Sequence, residues 1–171
     1  MRVGRQVAEP VRRTAARQGS KPGRTEIPER VLEALREVSL PDPARIANAY
    51  PHEISGGQRQ RVAIAIALAA RPKLLIADEP TTALDVSVQA EILELLDRVV
   101  AERDTSLLFI SHDLAVVSQV ADDVVVLRQG RVVDRGSLRA LIATPGSEYT
   151  RALVAGARVL DDALDNPGRV S

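Results

Sequence analysis

Two short runs set the frame for any fold this chain can adopt. KLLIA at residues 73–77 and SLLFI at 106–110 place apolar side chains side by side and do not alternate them with polar ones. A strand with one wet face alternates, whereas a strand covered on both faces, as in a parallel sheet, does not. Between the runs, Val88, Ile92, Leu95, Leu96 and Val99 recur at helical spacing, in a helix opened by Asp85 or Ser87 and reaching about Glu102. Strand, helix, strand with buried strands is the pattern of an α/β fold with a parallel sheet. Two strands are too few for a stable doubly wound sheet. The expectation is a partial parallel sheet with flanking helices, part of the sheet coming from elsewhere.

The remaining segments read as follows. Residues 1–25 are basic and end in RQGSKPGR, which reads as loop or weak helix without a core of its own. Val31, Leu32, Leu35 and Val38 predict a helix from Glu29 to Val38, ended by Pro41 and Pro43, with a short helix at Ala44–Ala49. Ser55 and Gln58 have capping-box spacing, so a helix starts there. It runs to about Ala70, apolar on nearly every side from Val62 on, and Pro72 closes it. After the second strand a helix is expected from Asp113 to about Val120. VVVL and RVVDR, joined around Gln129 and Gly130, predict an antiparallel hairpin. Helices at Leu138–Ala143 and about Ser147–Ala157 follow, and the tail DDALDNPGRVS reads as disordered. The implied divisions are 1–25, a helical subdomain at 26–71, an α/β part at 72–145 and an extension at 146–171.

Composition narrows the function. Lys plus Arg and Asp plus Glu number 23 each, so no net field favours nucleic acid or an anionic membrane. Only Phe109, Tyr50 and Tyr149 are aromatic, which argues against base-stacking modules. There is no cysteine, which removes disulfides, thiolate–zinc sites and cysteine nucleophiles. The longest apolar stretch, Val62 to Ala70, is far short of the ~20 residues that span a bilayer.

Three segments carry chemistry. In ISGGQRQR, Ser55 and Gln58 suit a plain helix cap, but Gly56 and Gly57 in the first turn cost ~1 kcal/mol each relative to alanine. Bare backbone at a helix N-terminus lets a phosphate reach free N–H groups at the positive end of the dipole. In LLIADEP, Asp78 and Glu79 are either solvated acids or groups at the carboxyl end of a parallel strand, where open α/β sheets bind ligands. There Asp78 suits a hard cation such as Mg²⁺ and Glu79 suits a base for an attacking water. In FISHDL, Asp113 suits a helix cap, and His112 is either structural or a second group at the same rim.

Taken in order and spacing, these segments together with TTALD at 81–85 resemble the ATP-binding-cassette (ABC) ATPase family. The correspondence runs from about Glu26 to Ala157, with a signature motif at 55–58, Walker B at 74–79, a D-loop around Ala83–Asp85 and a switch histidine at 112. It implies a fold that is the C-terminal part of a P-loop NTPase domain, with a signature-bearing helical subdomain and a C-terminal hairpin. It implies a head-to-tail dimer with a second ABC ATPase subunit. In that dimer Ser55, Gly56, Gly57 and Gln58 contact the partner's ATP, Asp78 serves Mg²⁺ and Glu79 is the base. His112 touches the γ-phosphate and Asp85 couples the two sites. YPHEISGGQRQRVAIA, LLIADEPTTALDVSVQAEIL and EYTRAL at 148–153 are similar to the oligopeptide/dipeptide importer branch, which shares much of its pattern with nickel importers. Ile66 stands where the family often has arginine.

That branch implies transmembrane permease partners, an indirectly engaged substrate-binding protein, no nucleic acid, and a peripheral place on the cytoplasmic face of the plasma membrane. G-x-x-x-x-G-K-[ST] occurs nowhere, since Lys21 precedes Pro22 and Lys73 precedes Leu74. MRVGRQVAEP is similar to the family segment just after the Q-loop, which implies that the P-loop and Q-loop lie N-terminal to Met1. A truncated frame or a misplaced start produces this pattern. The expectation is an ATPase subunit represented by its C-terminal portion and inactive alone. The alternatives are a catalytically dead remnant or module that offers its signature helix to a complete partner, and a non-transport ABC protein.

Overall fold

The computed structural model describes residues 1–165 apart from Lys21, Arg24, Ala83 and Asp104, with side chains described as far as Ala157. The chain divides into two compact units, residues 1–108 and 109–171.

The first unit opens with a helix where the sequence predicted loop or weak helix. Helix α1 spans Val3–Arg17 and buries Val3, Val7, Ala8, Val11 and Ala15. Those residues form one stripe at helical spacing, with Arg5, Glu9, Arg12, Arg13 and Arg17 facing water. Pro10 lies inside the helix and costs it one backbone bond. The stripe compensates by packing on α2 (Glu26–Glu37), α3 (Pro43–Asn48) and α4 (Gly56–Leu68). The Val3 N–H donates to the Ala49 carbonyl at 2.9 Å, and the Thr14 hydroxyl donates to the Ala69 carbonyl at 3.1 Å. The basic leader is therefore part of the helical core. Leu35, Ile46 and Leu68 are fully buried in this unit, as are Ile92, Leu95 and Leu96 of α5 (Val86–Arg103).

Strand β1 is Leu74–Asp78 and β2 is Ser106–Ile110, and the two are neighbours in one sheet. The Ser106 N–H donates to the Lys73 carbonyl at 2.8 Å and the Thr105 hydroxyl to the Pro72 carbonyl at 2.9 Å, so both strands start at the same end, as parallel strands do. Burial is one-sided. Leu75 and Ala77 are buried, while Leu74, Ile76 and Leu108 are 50%, 59% and 47% exposed. This corrects the expectation of cover on both faces: an unbroken apolar run permits two covered faces but does not supply the second layer.

Arginines tie the helices at their ends. Arg61 donates to the Val38 carbonyl at 2.9 Å and to the Glu91 carboxylate at 2.6 Å. Arg98 donates to the Glu37 carbonyl at 3.0 Å, and Arg103 to the Leu68 carbonyl at 3.2 Å while pairing with the Glu37 carboxylate. These guanidinium groups reach carbonyls at helix ends, where the intrahelical ladder runs out.

In the second unit, α6 (Leu114–Val117) is shorter than the predicted helix. Strands β3 (Asp123–Arg128) and β4 (Arg131–Ser137) form the expected antiparallel hairpin. Gln129 and Gly130 have φ of 51° and 74°, the left-handed pair that a two-residue type I′ turn requires. A register irregularity falls between Val126 and Leu127. Helix α7 is Leu138–Ala143, capped by Ser137, and α8 is Glu148–Asp165. Helix α8 reaches further than the predicted end at Ala157 and takes in Asp161–Asp165 of the tail expected to be disordered; the rest of that tail, 166–171, lies outside the described residues. The Asp134 carboxylate receives the Ser147 N–H at 2.9 Å, and the Arg128 guanidinium lies 5.1 Å from the Tyr149 ring centre, so β3 and β4 together seat the start of α8.

Candidate functional site

Ser55 is the N-cap of α4. Its hydroxyl receives the Gln58 N–H at 3.2 Å, and the Gln58 side-chain oxygen receives the Ser55 N–H at 3.1 Å. This is the reciprocal capping box predicted from the sequence. Arg59 braces the turn by donating to the Ile54 carbonyl at 2.8 Å. With Gln58 occupied by the cap, the first N–H groups outside the helical ladder belong to Gly56 and Gly57.

The two glycines stand in different surroundings. A Cβ on Gly56 would lie 3.7 Å from Leu84 Cδ2, an ordinary contact. A Cβ on Gly57 would lie 2.6 Å from Val88 Cγ1, closer than packed atoms come. Val88 was visible in the sequence only as a core position of α5. Its role beside the glycine turn had no local signal.

Asp78 ends β1 and is exposed. Glu79 follows with φ of 48°, a left-handed conformation uncommon for a side chain of this kind. Strain of this sort clusters at functional sites, and here the loop holds it. The Thr82 hydroxyl donates to Glu79 Oε2 at 2.7 Å, and the Thr82 N–H reaches the Glu79 carbonyl at 3.3 Å. Thr82 was not among the predicted residues; the available signal was a hydroxyl three places after an acid.

Asp85 starts α5. Its Oδ1 receives the Val88 N–H at 3.0 Å and the Ser87 hydroxyl at 2.7 Å. The Val88 backbone bond, then the Ser87 bond, hold its carboxyl below the usual carboxylate value. Ala83, the first residue of the predicted D-loop, lies outside the described residues.

His112 belongs to the second unit and sits exposed between β2 and α6. Asp113 beside it is a helix cap: its Oδ1 receives the Ala115 N–H at 2.9 Å.

A hard cation fits the exposed Asp78 carboxylate as one oxygen ligand. Among the described residues no cluster of three or more His, Asp or Glu side chains could hold a metal, so the rest of its shell must come from other oxygens. For a nucleotide, the residues present offer a glycine-bearing helix end and two acids, but no backbone cradle followed by lysine. Among the described residues no helix is long and apolar enough to cross a membrane.

The sequence profile of the ABC transporter family matches residues 3–82. The peptidoglycan transport ATP-binding protein YejF of Agrobacterium fabrum is 54% identical over 127 residues, 74% of this chain and 23% of that protein. The oligopeptide transport ATP-binding protein OppD of Bacillus subtilis is 45% identical over 163 residues, 95% of this chain and 44% of that one. The chain thus spans less than half the length of these relatives. Among solved structures, the dimeric bacterial ABC transporter cassette MJ0796 aligns with TM-score 0.66 and 32% identity over 81% of this chain and 57% of that one. Its post-hydrolysis dimer bound to ADP and Pi aligns with TM-score 0.69 at the same identity and coverage. With the family profile matching residues 3–82 and 45% identity to OppD over 95% of its length, the chain belongs to the ABC transporter family.

Proposed function

We propose that this chain carries the signature, Walker B, D-loop and switch-histidine part of the ATP-hydrolysing subunit of a peptide importer. The observation that carries the reading is the position of Asp78 and Glu79 at the carboxyl end of β1, with Glu79 held in a strained conformation by its own loop. Relatives named for peptide and oligopeptide transport support the cargo class.

In this reading Asp78 supplies an oxygen to Mg²⁺, and Glu79 accepts the proton of the attacking water. Ser55, Gly56, Gly57 and Gln58 face the phosphates of ATP held on a second ATPase subunit. Asp85 couples the two sites and His112 meets the γ-phosphate. A bound Mg²⁺ would neutralise phosphate charge, and the chain's own residues would orient the water and receive its proton. The working partners are a second ATPase subunit and permease subunits, with a substrate-binding protein upstream, at the cytoplasmic face of a membrane. Nothing in the charge balance provides for nucleic acid.

The test is co-expression of the 171 residues with a polypeptide carrying the P-loop and Q-loop of a peptide-importer ATPase. A stable complex with Glu79-dependent phosphate release is expected. A stable complex that never turns over overturns the catalytic reading and leaves the chain as a module presenting its signature helix.

A further inference from the structure

We infer that Val88 is a positioning residue for the glycine turn of α4, and that Gly57 is glycine because Val88 occupies the space where its side chain would stand. The functional consequence rests on the phosphate-facing reading above, whereas the packing does not.

The observation is the asymmetry between two adjacent glycines. Both sit in the first turn of α4, where free N–H groups would suit a phosphate. If ligand approach alone demanded glycine, the protein's own atoms would leave both positions open. At Gly56 they do: the nearest atoms to an added Cβ are Leu84 Cδ2 at 3.7 Å and Arg59 Nη2 at 3.9 Å. At Gly57 all three nearest atoms belong to Val88, with Cγ1 at 2.6 Å and Cβ and Cγ2 both at 3.8 Å. A valine in a helix is stiff at its one side-chain torsion, so it cannot swing clear. An added methyl there must push α4 and α5 apart.

Val88 is fixed in turn. Its own N–H donates to Asp85 Oδ1 at 3.0 Å. Further along the same two helices, Arg61 bonds Glu91 at 2.6 Å. The start of α5 is therefore clamped to the start of α4 by a steric seat at one point and a charge-assisted bond one helical turn on. The glycine turn inherits its position from α5. Any movement of residues 85–88 would shift the Gly57 N–H with it. The two glycines thereby take separate roles, Gly56 as the open approach and Gly57 as the seat.

The test is a size-swap cycle in the full chain. Gly57→Ala should lower the melting temperature by about 3–10 °C, as expected for an added methyl in packed surroundings. Gly56→Ala should hold or raise it, since alanine is the better helix former. The double variant Gly57→Ala with Val88→Ala should recover most of the loss, so that the two changes combine to less than their sum. For a readout that bulk stability does not move, Val88→Ala alone should shift the Gly57 and Gln58 amide resonances, and Val88→Ile, which keeps both Cγ atoms, should move them far less. If Gly57→Ala does not fold, recovery of the fold in the double variant supports the inference. Equal tolerance of alanine at both glycines, additive losses in the double variant, or unmoved amides in Val88→Ala would each overturn it. Failure of the phosphate-facing reading would leave this cycle intact and would show only as turnover of the completed ATPase unaffected by Gly56→Ala.

Discussion

The Thr82 hydroxyl donates to the Glu79 carboxylate at 2.7 Å, from three residues along the same loop. The acid proposed as base thus has a hydroxyl donor whose position is set by the backbone turn that also gives Glu79 its left-handed conformation.

Glu79→Gln keeps an oxygen able to accept from Thr82 and removes the charge. In the completed ATPase, turnover should fall by ~10²–10⁴-fold while nucleotide binding persists, because a general base contributes to the chemical step and little to grip. Steady-state phosphate release and equilibrium binding, measured on the same preparation, separate the two. Retention of more than about a tenth of the parent rate would remove Glu79 from the role.

Alone, the 171 residues should neither bind Mg·ATP with micromolar affinity nor release phosphate. Phosphoryl transfer depends on a phosphate cradle and charge neutralisation, and G-x-x-x-x-G-K-[ST] is not in the sequence. Calorimetry at saturating Mg·ATP checks binding. Glu79-dependent turnover by the isolated chain would contradict the expectation.

Leu35 and Leu96 are fully buried, so Leu35→Ala or Leu96→Ala should destabilise by about 2–5 kcal/mol in a denaturant titration. Ile76 is 59% exposed, and Ile76→Thr should change stability by less than about 0.5 kcal/mol. Comparable losses at all three sites would mean that the outer face of β1 is packed in solution.

Arg61 serves a carbonyl and a carboxylate at once, a geometry that a planar fork supports and a lysine ammonium does not. Arg61→Lys should therefore cost about 1–2 kcal/mol even though charge is kept. An unchanged denaturation midpoint would show that the second bond contributes nothing.

Two carboxylates give a pH dependence of known sign. Asp85 is held low by the Val88 N–H and then Ser87, and Asp134 by the Ser147 N–H and then Thr150. A depressed folded value means that their support is complete above the ordinary carboxylate range, near pH 4, and is lost as pH falls through the lowered values. The Val88 and Ser147 amide resonances should move together with those titrations. Asp85→Asn should abolish the movement at Val88 alone, and Asp134→Asn the movement at Ser147 alone.

Much of this was legible in one dimension where the cause is local. The capping box at Ser55 and Gln58, the strand at 106–110 and the hairpin turn at Gln129 and Gly130 each depend on residues a few places apart. Helix α1 was not, because Val3, Val7 and Val11 are interrupted by Arg5, Glu9 and Pro10, and what makes them a core stripe is α2, α3 and α4. The packing at Gly57 was hidden for a similar reason. A glycine in a first turn has the same appearance whether a ligand or a valine from another helix requires it, and Val88 meets it only in three dimensions. At the candidate site the residue types were readable, while the Thr82 bond and the strain at Glu79 needed coordinates.

The bare face of β1 and β2 has a practical consequence. Leu74, Ile76 and Leu108 stay exposed in the folded unit, so association between copies need not wait for unfolding. Shelf life should then follow how often molecules meet. Halving the stock concentration should prolong it at constant temperature, whereas a core-stabilising substitution should leave it unchanged.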